Sequence, residues 1–251
     1  MSVRLEREGA VAHLLIDRPA KRNAMTLAMW QAIPELVEQA VGDRNVRALV
    51  IRAAAPGPFC AGADLGEILD RKDDPAWLAQ SQAAINRTQR AVARAALPTI
   101  AFVEGDCIGG GCGLAVACDL RVATPAARFA VTPAKLGLVY PLHDVKLLVD
   151  LIGPGQAKRL MYTGSIIDAA EALRIGLVES IASSPTDLIE SLLSVSPFSV
   201  RETKSFVRRV LDGQTDDDDD TWGTFAGAFA GADFREGVGA FLARRKAEFE
   251  R

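Results

Sequence analysis

Strand patterns alternate with helix patterns through the first half of the chain, and this alternation restricts the fold more than any other feature. Residues 11–16 (VAHLLI), 46–52 (VRALVIR), 99–103 (TIAFV) and 120–123 (LRVA) are short aliphatic and β-branched runs that predict strands. Between the first two, Leu27, Trp30, Ile33, Val37 and Val41 recur at helical spacing, with Thr26 placed to cap the helix. A second helix is predicted over 77–96, stopping ahead of Pro98. Such alternation builds βαβ units and a mostly parallel sheet, so the fold class is α/β. After residue 144 the strand signals fade, and 144–152, 157–162, 168–175, 199–211 and 233–250 read as helices. The expected division is an α/β core over 1–195 and a helical C-terminal region over 196–251. The five aspartates at 216–220 read as a solvated loop.

With 49% hydrophobic residues the chain has enough apolar material for a sizeable core. No apolar run reaches membrane-spanning length, and the opening MSVRLEREG lacks the apolar stretch of a signal peptide, so a cytoplasmic location is expected. A net charge of −3 gives no drive toward nucleic acid or an acidic membrane, and neither is expected as a partner. Cys60, Cys107, Cys112 and Cys118 contain no C-x-x-C pair and read as buried reduced thiols. No metal site and no permanently bound cofactor is implied.

Two glycine-rich turns carry the functional signal. Residues 59–65 (FCAGADL) and 108–114 (IGGGCGL) each follow a strand, where α/β sheets place ligand sites. The second turn runs into a buried helix of small residues, 110–118, whose first N–H groups have no intrahelical partner. Neither turn has the order of a phosphate loop. Tight packing would explain one glycine cluster. Two at strand ends can each give one N–H to a single oxygen, and one such donor is worth ~3 kcal/mol of barrier when that oxygen becomes an anion.

Several motifs in order then resemble the enoyl-CoA hydratase/isomerase (crotonase) superfamily. They are DRPAKRNA at 17–24, the two turns, ACD at 117–119, FAVTPAKLG at 129–137, Thr163-Gly164, and DFREGVGAFLARRKAEF at 233–249. The resemblance implies a crotonase-like spiral of ββα turns, a helical C-terminal trimerisation region, and a homotrimer or dimer of trimers. It implies an acyl-CoA substrate, with coenzyme A present only as part of the thioester. The matching oxyanion-hole N–H groups are those of Ala63 and Gly110. Contacts to coenzyme A map to Ala20, Lys21 and Arg22, to Ala61, Asp64 and Leu65, and to Lys246 and Phe249. For Lys21, Arg22 and Lys246 the competing reading is a solvated surface charge.

The pattern breaks at the acids. The two glutamates that handle water in the family's hydratases correspond to Gly113 and Pro133, neither of which offers a side chain that transfers a proton. Tyr140 and His143, in the segment that lines the family's acyl pocket, are the replacement candidates. The competing reading makes His143 and Asp144 a helix-capping pair, and it is preferred for Asp144. Glu67 reads as a solvated helix face. Residues 129–148 also resemble methylmalonyl-CoA decarboxylase, which has Thr-Pro-Ala at the same place and a tyrosine matching Tyr140, but a histidine where this chain has Ala63. Loss of CO2 needs an oxyanion hole and no base. Three functions therefore stand: an enolate-stabilising hydratase or isomerase, a malonyl-type CoA decarboxylase, and a non-catalytic acyl-CoA-binding protein.

Overall fold

A computed structural model describes residues 2–249. The chain begins with an antiparallel pair, β1 (Val3–Glu8) and β2 (Val11–Ile16). It then runs through α1 (Leu27–Gly42), β3 (Ala48–Ala53), α2 (Leu65–Arg71), α3 (Pro75–Ala93), β4 (Thr99–Val103), β5 (Asp106–Ile108), α4 (Gly110–Ala117), β6 (Leu120–Ala123) and β7 (Arg128–Ala130). The remainder is α5 (Leu142–Thr163), β8 (Ile167–Asp168), α6 (Ala169–Arg174), β9 (Ser180–Ile181), α7 (Thr186–Leu193), α8 (Pro197–Leu211), α9 (Asp219–Ala228) and α10 (Ala232–Ala243). One sheet has the order β1-β2-β3-β4-β6-β9, and every pairing beyond β1–β2 is parallel. A second sheet, β5-β7-β8, stands beside it.

The central parallel strands are mostly apolar, with His13, Arg52 and Arg121 as the exceptions in β2, β3 and β6, as a sheet covered on both faces favours. β4 is buried at all five residues. α1 lays Trp30, Ile33 and Val37 into the same core, and each buried aliphatic side chain contributes about 1.5–3 kcal/mol. Thr26 caps α1 by accepting from Met29 N. The helical C-terminal part is tied to this core by polar anchors. Lys204 on α8 donates to Leu97 O and pairs with Asp119, which also accepts from Thr99 N and Oγ1.

The structure revises several sequence expectations. Residues 144–152 and 157–162 are two helical pieces, as expected, but they follow each other within Leu142–Thr163 (α5), parted only where Gly153 leaves the helix (φ 73°, ψ 162°) ahead of Pro154. Such a φ is open to glycine, and the proline that follows cannot donate to the helix ladder. The aspartate run is not wholly a loop, because Asp218 caps α9 in a reciprocal pair with Thr221, and Asp219 and Asp220 form its first turn. Carboxylates there offset the unpaired N–H groups of a helix start. The last helix stops at Ala243, short of 250, because Arg244 turns left-handed (φ 53°) and the Arg245 guanidinium folds back onto Glu236. Residue 250 lies outside the described residues.

Candidate active site

The two glycine-rich turns meet. A parallel bridge ties Met25 to Ala63, and another ties Cys60 to Cys107. Within the first turn, Met25 N donates to Gly62 O and Asp64 N to Met25 O, so the bridge leaves the N–H of Ala63 outside it. Gly110 is the first residue of α4, and its N–H precedes the helix ladder. A Cβ built on Gly62 would lie 3.6 Å from Gly110 N, and one built on Gly110 would lie 3.8 Å from Ala63 N. The two N–H groups are therefore close neighbours, and both residues are only half-buried. Gly109 makes the approach with φ 57° and ψ −121°, a conformation for glycine. Trp30 lies beneath, its Cζ2 3.3 Å from the Cβ position of Gly110.

The stretch carrying Ala20, Lys21 and Arg22 lies against the first turn. Ala61 N donates to Arg22 O, and the buried Asn23 (φ 58°) donates to Pro58 O while accepting from Arg18 N. Lys21 is exposed. The Arg22 guanidinium pairs with Asp106, which also binds Arg128 at 2.7 Å. Asp64 pairs with Arg18 at 2.6 Å and caps α2 through Gly66 N and Glu67 N. The Arg18 hydrogen bond first, and these backbone bonds next, hold its carboxyl below the usual range. Leu65 is exposed beside it. Glu67 is not a solvated face, because its carboxylate accepts from Leu27 N at 2.9 Å and braces the start of α1.

Lys246 and Phe249 lie apart from these turns. The tail folds on its own helix, with Glu248 N donating to Glu236 and the Phe249 ring 3.7 Å from the Cβ position of Gly237. Lys246 is exposed beyond the end of α10.

The acyl-pocket candidates divide. Tyr140 reaches the second turn, its Oη 3.8 Å from the Cβ position of Gly109. It lines a small cavity with Gln89, Cys112, Gly113, Val116, Val131, Asp144, Leu147 and Leu148. His143 does not line that cavity, and its charge environment includes Arg90, Arg94 and Arg208. Burial holds its imidazole below the usual histidine range. Burial pushes the Tyr140 phenol up.

Asp144 does not cap α5. The helix begins at Leu142, Asp144 lies within its first turn, and its Oδ1 accepts from Gln89 Nε2 at 2.7 Å. Burial raises its carboxyl pKa, while the Gln89 bond pulls the other way. This pair was not legible in the sequence beforehand. Gln89 reads there as one more polar residue of α3, and only the missing side chain at Gly113 hints that something else fills the space. Pro133 is buried at the start of a 3₁₀ turn, Pro133–Leu136.

The cysteines are all free and buried. Burial drives the thiols of Cys60 and Cys118 up to about 12, which makes them apolar packing groups at neutral pH. Among the described residues no helix is long and apolar enough to cross a membrane.

Residues 6–251 match the family model described as enoyl-CoA hydratase/isomerase. A crotonyl-CoA hydratase of Syntrophomonas wolfei is 34% identical over 98% of this chain and 96% of its own length. A short-chain-enoyl-CoA hydratase of Clostridium acetobutylicum is 31% identical over 98% and 97%. The solved structure of an enoyl-CoA hydratase/isomerase from Marinobacter aquaeolei superposes with a TM-score of 0.87 at 31% identity, covering 98% of each chain. The match of one family model to nearly the whole sequence, and of full-length relatives to the same fold, shows that this chain belongs to the enoyl-CoA hydratase/isomerase (crotonase) family.

Proposed function

We propose that the protein converts acyl-CoA thioesters through an enolate whose oxygen rests on the N–H groups of Ala63 and Gly110. The observation that carries this reading is the meeting of those two N–H groups on half-buried residues where the turns join, with Tyr140 of the small pocket 3.8 Å from the Cβ position of the adjoining Gly109. Two such donors act on the charge that develops on the thioester oxygen, and they are set in place before it develops. Ala20, Lys21, Arg22, Ala61, Asp64 and Leu65 form the adjoining surface for coenzyme A, with the exposed Lys21 as its phosphate contact. Tyr140 faces the reacting part of the acyl group. His143, outside the cavity, is a weaker candidate for chemistry.

Hydration or double-bond isomerisation of an enoyl-CoA fits this pocket better than decarboxylation. Asp144 puts a carboxyl group in it, and an ionised carboxylate would repel the carboxylate of a malonyl-type substrate. Lys246 and Phe249 would reach coenzyme A from a neighbouring subunit of a homotrimer. The exposed aromatic residues Trp222 and Phe225 on α9, Phe229 just after it, and Phe234 and Phe241 on α10 supply an apolar face for that association.

The test is a mass-spectrometric turnover screen with one pool of enoyl-CoAs and one of malonyl-type CoAs. Gain of water or a moved double bond supports the reading. Loss of CO2 replaces it with the decarboxylase. Binding without turnover of either pool replaces it with an acyl-CoA-binding protein.

A further inference from the structure

We propose that Asp144, held by Gln89, is the proton-transfer residue of this pocket, moving a proton to and from the carbon next to the thioester carbonyl. The inference rests on the reading of Ala63 and Gly110 given above.

The first ground is position. A Cβ built on Gly113 would lie 3.4 Å from Asp144 Oδ1 and 2.8 Å from Gln89 Nε2. A side chain at 113 would enter the space that the Asp144–Gln89 pair fills. The carboxylate thus approaches the same spot from α5 that a residue at 113 would approach from α4. Gly110 and Gly113 are three residues apart in one helix, hence on one side of it and separated by roughly 5 Å along it. The carbon next to a carbonyl is two bonds from its oxygen. A carboxylate one helical turn from the Gly110 N–H is therefore placed beside that carbon.

The second ground is the set of unsatisfied atoms. Asp144 Oδ2, Tyr140 Oη and Gln89 Oε1 are buried and have no hydrogen-bond partner among the described residues. All three residues line the same cavity, whose other walls are Cys112, Gly113, Val116, Val131, Leu147 and Leu148. Buried polar atoms are nearly always partnered, and three exceptions around one cavity, which has room for about one water molecule, point to a small polar occupant. Among the described residues no lysine or arginine lines it, so an ion pair does not explain the carboxylate. Gln89 fixes one oxygen and leaves the other free for a proton. The burial that raises the Asp144 pKa brings it nearer the range useful for acid–base work.

The step balances without another reagent. The Asp144 carboxylate takes the proton as the C–H bond breaks. That electron pair becomes the C=C bond of the enolate, and the carbonyl π pair moves onto the oxygen held by the two N–H groups. In reverse, the carboxyl O–H breaks and the proton returns to carbon.

The test is exchange of that hydrogen of butyryl-CoA with D2O, followed by mass spectrometry, with binding measured by calorimetry. Asp144→Asn keeps the shape and an acceptor for Gln89. It is expected to slow exchange on the order of 100-fold or more, with butyryl-CoA affinity within about twofold, since the contacts to coenzyme A lie elsewhere. In Gln89→Leu, loss of the bond to Oδ1 moves the acid limb of the pH–rate profile to higher pH. Exchange in Asp144→Asn within about threefold of wild type would overturn the proposal. So would a wild-type protein that binds butyryl-CoA and exchanges nothing, although it would leave the acyl-CoA reading intact. Failure of the wild type to bind coenzyme A thioesters would remove that reading and this one together. If Asp144→Asn fails to fold, the Gln89→Leu profile decides, and an unmoved profile counts against the proposal.

Discussion

Gly111 packs on Cys60 so closely that a Cβ at residue 111 would lie 2.6 Å from the Cys60 Cβ and 2.9 Å from its Sγ. Both residues are buried, and the contact locks the start of α4 to the first glycine-rich turn. Gly111→Ala has no flexible neighbour to displace. It is expected to cost about 1–3 kcal/mol in urea unfolding through overpacking. It also shifts the Gly110 N–H relative to that of Ala63, so acyl-CoA affinity should fall more than in a variant of equal stability loss elsewhere.

Asp144 carries a stability signature separate from its proposed chemistry. Its pKa in the folded protein is raised, chiefly by burial. Between the ordinary carboxylate value and that raised value the folded state binds more protons than the unfolded state. Stability therefore falls as pH rises through this window and stays lower above it. The groups facing the carboxyl are His143 on its own helix, Tyr140, Cys112 on α4, and the neutral Gln82 and Gln89 on α3. Asp144→Asn should accordingly raise the Tm at pH 7, by ~2–4 °C for each kcal/mol recovered. The difference should close on acidification to below the ordinary carboxylate range, which scanning calorimetry across pH would check.

Arg121 is 1% exposed and donates to the carbonyl oxygens of Leu177, Cys118 and Asp119 while pairing with Glu179. Arg121→Ala should cost about 3–5 kcal/mol, since it strands several buried acceptors at once. Glu179→Gln should cost clearly less, because the Glu179 side chain is 35% exposed and water replaces part of the pair. Equal losses in chemical denaturation would mean that the ion pair, and not the carbonyl bonds, dominates.

The aromatic series that runs from α9 into α10 is Trp222, Phe225, Phe229, Phe234, with neighbouring ring centroids 5.3–5.5 Å apart and all four exposed. The double substitution Phe229→Glu and Phe241→Glu should convert the proposed trimer to monomers in light scattering, with the circular dichroism of the core unchanged. A wild type that is already monomeric would show that this face serves another purpose.

What the sequence made legible follows from where information is local. β2, β3, β4 and β6 were readable because parallel strands buried on both faces are continuous apolar runs. The short strands β5, β7, β8 and β9 have two or three residues each and carry too little pattern to register. α9 was hidden because its start is a run of aspartates, which as composition means solvent but as a helix N-terminus means capping. At the site, the two turns were visible through their glycines. Gln89 and Asp144 were not, since they are 55 residues apart and meet only when α3 and α5 both pack against α4.

The N–H groups of Ala63 and Gly110 are main-chain atoms. A point mutation replaces a side chain freely, whereas it deletes a peptide N–H only by writing proline there. Positions 63 and 110 are thus buffered against drift in a way that no carboxylate is. If they hold the carbonyl as proposed, a change of acid or base elsewhere in the pocket leaves that grip in place, so one scaffold can take on different reactions without first relearning how to hold its ligand.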